Sequence, residues 1–134
     1  MSIGADEQFH SGKRTRGRPR EFDSDKALEA AMRVFWEKGY DGASLSDLTE
    51  AMGINRPSMY AVLGNKDELF KKAVERYLQQ VEAVIASCMA MDSARAGMDK
   101  LLRFAAEMFS DPSNPTGCFS EQALINSTNV SADV

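Results

Sequence analysis

The side chains best suited to chemistry lie in one short stretch, GINRPSMYAVLGNK, residues 53–66. Between its glycines, Arg56, Ser58 and Tyr60 offer a guanidinium and two hydroxyls, with Asn55 and Lys66 on either side. Groups of this kind hydrogen-bond to phosphate oxygens and base edges. A helix this short is marginal in water, because nucleation fixes several dihedrals for one hydrogen bond. Neighbouring elements must therefore hold it in place.

A second concentration of charge precedes it. Lys13, Arg14, Arg16, Arg18 and Arg20 put five cations into eight residues of a chain whose net charge is −4. From residue 64 onward seven basic side chains face ten acidic ones, a local net of −3. A basic front end on an acidic body points to an anionic partner at that end. Within RGRPR, Pro19 favours an extended backbone at Arg18. The Arg-Gly-Arg-Pro core looks like an AT-hook, and one reading inserts Arg16 and Arg18 into a narrow A·T minor groove. The other is a solvated basic tail with salt-sensitive attraction to phosphate.

Other classes of activity find little support. His10 is the single histidine and lies in the arm. No paired carboxylates, glycine-rich phosphate loop, nucleophile elbow or metal-ligand spacing occurs, so no enzyme activity, cofactor or metal is expected. Two cysteines, Cys88 and Cys118, suggest neither a disulfide framework nor a zinc site, and Cys118 in PTGCF reads as a small buried hydrophobe. No apolar run approaches the roughly 18 residues of a membrane span. The polar N-terminus lacks the apolar centre of a secretory signal. The expected location is the cytoplasm.

The elements that must position residues 53–66 follow from periodicity and caps. Residues 1–21 form a polar arm. Phe22-Asp23-Ser24 opens a first helix whose inner face is Ala27, Leu28, Ala31, Val34 and Phe35, closed by Gly39. Ser44 with Asp47 opens a second helix, which buries Leu45, Leu48 and Met52 and ends at Gly53. Small Ala51 is read as permitting close helix approach, and Ile54 as plugging the core. Asn55 caps a third helix over residues 55–63, with Pro57 tolerated in its first turn. Met59 and Leu63 face inward there; Asn55, Arg56, Ser58, Ala61 and Val62 face outward, with Tyr60 beside them.

Asn65 with Glu68 opens a long fourth helix from Lys66. Its apolar stripe runs from Leu69 to Cys88, about six turns. A fifth amphipathic helix near 94–110 presents Met98, Leu101, Leu102, Ala105, Met108 and Phe109. DPSNPTG breaks the chain, and the last seventeen residues begin a helix without a convincing core face. The expected fold is all-α. The second and third helices, joined by a short turn, have the dimensions of a helix-turn-helix.

Residues 16–78 resemble the DNA-binding domain of the TetR (tetracycline-repressor) family. The matching stretches are GRPREF, ALEAAMRVFWEKGYDGASLSDLTEAMGI and NRPSMYAVLGNKDELF. The resemblance implies that Arg56 contacts bases and phosphate, and that Tyr60 and Lys66 meet phosphates. It also implies that Ser44 offers its hydroxyl, or the amides of its helix, to a phosphate, which the helix dipole independently favours. Pro57, Ser58 and Ala61 complete the expected DNA-facing set. Asn55 serves equally as a cap alone, capping by Ser44 is compatible with a phosphate contact, and the alternative for Lys66 is a surface lysine. Ala61, Val62 and Leu63 depart from the family pattern of aromatic or histidine side chains. The first two shift readout towards apolar contact, for instance with thymine methyls.

Residues 22–65 are thus expected to form the DNA-binding head, and 66–134 the start of a regulatory helical domain. By resemblance, the implied function is a ligand-responsive repressor. It would bind pseudo-palindromic double-stranded DNA as a dimer and respond to a small-molecule effector. Because family members extend further, this chain is expected to carry an incomplete regulatory domain. Dimerisation should then be weak, and an apolar surface on the fourth and fifth helices partly uncovered. A helical adaptor that binds no DNA, or a truncated antagonist of a longer relative, are the alternatives.

Overall fold

The computed structural model describes residues 23–126. They form six helices: α1 (Ser24–Gly42), α2 (Leu45–Met52), α3 (Arg56–Val62), α4 (Lys66–Met89), α5 (Ala94–Ser110) and α6 (Phe119–Asn126). The expected arm, with Arg16 and Arg18, lies outside the described residues.

Caps set these boundaries. The Asp23 carboxylate accepts from the Lys26 amide to start α1, and Gly39, at φ 72° and ψ 174°, interrupts its last turns. Ser44 and Asp47 form a reciprocal capping box on α2, as Asn65 and Glu68 do on α4. Gly53 ends α2 in the left-handed region at φ 67°. Nothing lies within 4 Å of a Cβ built there, so backbone conformation rather than space demands glycine.

Packing centres on α1 and α4. Ala27, Ala31, Met32, Phe35 and Trp36 of α1 meet Leu69, Phe70, Ala73 and Tyr77 of α4, with Leu48, Met52, Met59 and Leu63 closing one end. Aromatic rings give the core its shape: Phe70 stands edge-on to Phe35 at 5.0 Å and to Tyr40 at 5.1 Å. Edge-to-face pairs like these set ring orientation as well as burying area.

The C-terminal segment corrects the sequence reading. Phe119, the first residue of α6, is 1% exposed. Its ring meets Trp36, Phe70 and Tyr77, and Ala123 is buried behind it. One aromatic residue carries most of this contact, which left no periodic stripe to recognise. The preceding loop is tied to α1: Arg33 donates to the Ser113 carbonyl at 2.7 Å and to Asn114 Oδ1 at 3.1 Å. Trp36 Nε1 donates to the Gly117 carbonyl at 3.1 Å.

Cys118 is half-buried rather than a fully enclosed hydrophobe. Its Sγ lies 2.9 Å from Ser120 Oγ and 3.3 Å from the Tyr77 hydroxyl. Burial pushes the thiol up, but hydrogen bonds from Ser120 and Tyr77 outweigh it and leave the pKa below its ordinary value. Burial, with the Cys118 contact, pushes the Tyr77 hydroxyl well up.

Helix α5 packs against α4 through a close approach. A Cβ on Gly97 would sit 2.5 Å from the Cys88 carbonyl oxygen. Gly97 is the one buried residue of α5, while Met98, Leu102 and Phe109 stay exposed. Ile85, Cys88, Met89, Met91, Met98 and Leu101 line an open groove of about 400 Å³ between the two helices. The expected uncovered apolar surface on these helices is present.

Candidate nucleic-acid interface

Helix α3 is too short to hold itself, and its two inward residues explain its position. Met59 is fully buried and Leu63 is 4% exposed, whereas Asn55, Arg56, Pro57, Ser58, Tyr60, Ala61 and Val62 all face solvent. Ile54 packs half-buried beneath the turn. Asn55 Oδ1 accepts from the Ser58 amide at 2.9 Å, so its side chain serves as the cap. Lys72 donates to the Leu63 carbonyl at 3.0 Å and satisfies the far end of the helix. The outer face of α3 carries one cation and no carboxylate. Ala51 is exposed, so close approach at that position does not set the α2–α3 packing.

Asn55, Arg56, Pro57, Ser58, Tyr60 and Ala61 stand on this face, while Ser44 caps α2 and Lys66 opens α4. Arg56 reaches back across the turn, where its Nη2 donates to Ser46 Oγ on α2 at 3.2 Å. Ser44 is exposed at the α2 N-terminus, with its oxygen accepting from the Asp47 amide at 3.0 Å. Asp47 is further held by Lys38 at 2.8 Å. That contact first, and the Ser44 hydrogen bonds second, keep its carboxyl far below the usual range. The Ser44 hydroxyl is thus committed to the cap.

Lys66 is half-buried, and its Nζ lies 4.5 Å from the centre of the Tyr40 ring. The Tyr40 hydroxyl bonds to Asp67. No local sequence pattern singles out Tyr40, Ser46, Lys38 or Lys72. Their partners lie 9 to 27 residues away, beyond any helical repeat that could have pointed to them.

A short, polar-faced helix is thus held beside a capped one. Residues 27–73 match the model of bacterial regulatory proteins, tetR family. A solved complex of the TetR family transcriptional regulator CifR, a cysteine mutant, with 26-base-pair double-strand operator DNA superposes with a TM-score of 0.71. It is 44% identical and covers 84% of this chain and 59% of that one.

Residues 27–73 carry the tetR-family domain.

Among curated TetR-like relatives, the HTH-type transcriptional repressor ComR of Escherichia coli K12 is 36% identical over 123 residues, 90% of this chain and 57% of that protein. The repressor BdcR of the same strain is 35% identical over 107 residues, 78% of this chain and 54% of its own length. The chain therefore spans somewhat over half the length of the relatives it matches. All-α architecture with a helix-turn-helix near the start is the family's fold, as expected from the sequence.

Proposed function

We propose that this chain is a sequence-specific DNA-binding transcriptional regulator of the repressor class, reading the major groove with α3. One observation carries the reading: buried Met59 and Leu63 hold the face of Arg56, Pro57, Ser58, Tyr60 and Ala61 towards solvent. In the proposed complex Arg56 and Ser58 supply polar contacts, and Ala61 with Val62 apolar contact to base edges. Tyr60, Lys66 and the α2 N-terminus fix register on the backbone through phosphates. Arg16 and Arg18 add contacts from the arm.

Residues 22–65 form the reading head in this proposal and 66–134 belong to the regulatory part. A second copy supplies the other half-site of a pseudo-palindromic operator, with the two α3 units about 34–36 Å apart. A small-molecule effector acts by favouring one spacing over another. The protein works in the bacterial cytoplasm, on the nucleoid; among the described residues no helix is long and apolar enough to cross a membrane.

Selection from a random duplex pool, followed by affinity measurement at several salt concentrations, tests the reading. The expected result is enrichment of a motif with half-site symmetry. Log affinity should fall with log salt by about 0.9 per neutralised phosphate. A helical adaptor would enrich no sequence. Tyr60→Phe should weaken all duplexes almost uniformly, whereas Arg56→Ala should also change which bases are preferred.

A further inference from the structure

We infer that Ser46 is a positioning residue for Arg56, locking the guanidinium across the turn so that its charge meets DNA from a fixed direction. This rests on the reading of α3 as the DNA-facing helix.

Arg56 opens α3, and Ser46 lies in the first turn of α2. The two helices thus meet through a 3.2 Å hydrogen bond on the exposed side of the motif. An unrestrained arginine there would sample many rotamers and lose that entropy on binding. One donated hydrogen bond narrows the choice and leaves four of the five guanidinium N–H donors for a phosphate or a guanine edge.

The chemistry of the anchor matters as much as its place. A neutral hydroxyl orients the guanidinium without cancelling its charge, and no ion pair among the described residues involves Arg56. The neighbouring acid, Asp47, is engaged by Lys38 and Ser44 instead. An acid at position 46 would pair with Arg56 and spend the charge inside the protein. Serine is the residue type that aims the cation and keeps it available.

The test uses the full chain and the duplex that wild type enriches most from a random pool. Ser46→Ala should weaken binding about threefold to tenfold, as expected for one lost hydrogen bond. It should flatten base preference where Arg56→Ala does, yet leave the salt slope unchanged, because the charge remains. Ser46→Thr should restore both affinity and preference. Ser46→Asp should lose affinity and also reduce the salt slope. In an Arg56→Ala background, Ser46→Ala should change affinity less than twofold, and thermal stability should not fall in either background.

If Arg56→Ala weakens binding while Ser46→Ala does not, the positioning role is wrong and the α3 reading survives. Equal effects of Ser46→Ala with and without Arg56 would likewise overturn it, since Ser46 would then act on its own. If wild type enriches no duplex, both the inference and the reading beneath it fail.

Discussion

The Tyr40 ring lies 4.5 Å from the Lys66 ammonium, so the first residue of α4 is held against the end of α1. Tyr40 is itself rigid, stacked parallel to Phe35 and edge-on to Phe70. An ammonium over an aromatic face gains about 0.5–1 kcal/mol at an exposed site. More usefully, the contact confines a long side chain to one region. Lys66→Ala should weaken every duplex to a similar degree and reduce the salt slope by about 0.9. Tyr40→Phe keeps the ring and should stay within about twofold of wild type. Equal losses for Tyr40→Phe and Lys66→Ala, measured by titration at several salt concentrations, would show that the Asp67 hydrogen bond does the positioning instead.

Removal of the Phe119 ring should destabilise the packing of α1 on α4 despite its distance in sequence. Phe119→Ala empties the space between Trp36, Phe70 and Tyr77. The expected cost is about 3–5 kcal/mol in denaturant unfolding. Trp36 fluorescence should report the same transition, because its ring and its indole N–H both contact this segment. A cost below about 1 kcal/mol would mean that α6 is not seated in the core.

Gly97→Ala should lower thermal stability even though alanine favours helices by about 1 kcal/mol. The new methyl would meet the Cys88 backbone carbonyl at 2.5 Å, and a backbone group cannot rotate aside. Opening the α4–α5 crossing is expected to cost about 1–3 kcal/mol, more than the helical gain. A variant more stable than wild type would show that the crossing yields easily.

The Lys38–Asp47–Ser44 cluster predicts an acid sensitivity whose sign follows from the depressed carboxyl. The folded state favours ionised Asp47, chiefly through Lys38 and then through Ser44. Its contribution is therefore complete above the ordinary carboxylate range and disappears as pH falls through that range towards the lower folded value. Asp47→Asn should be less stable than wild type at neutral pH and lose less on acidification. Thermal melts from pH 7 to about pH 2 check this; parallel curves for the two proteins would exclude it.

The head was legible because local chemistry specifies it. Ser44 with Asp47, Gly53, Asn55 with Pro57, and Asn65 with Glu68 each mark a boundary within a few residues of sequence. Met59 and Leu63 stand four apart and could face only one way. Contacts between distant segments left no such mark. Arg33 and Trp36 bond to residues 113–117, and Phe119 fills a site made by α1 and α4. No periodicity in α6 announces that role. The arm's two arginines remain a matter for the minor-groove test: Arg16→Ala with Arg18→Ala should selectively weaken operators with A·T-rich flanks.

Placing Phe119 between Trp36 and Tyr77 has a consequence for the order of events at the ribosome. Synthesis delivers α1 through α4 well before the ring that completes their core, and a contact spanning some eighty residues forms late. A nascent chain ending near Ser110 carries α1 to α4 without the ring that fills the space between α1 and α4. The core is complete only when the downstream segment has emerged and closed over α1, so the folding of the first four helices is coupled to synthesis of the sixth.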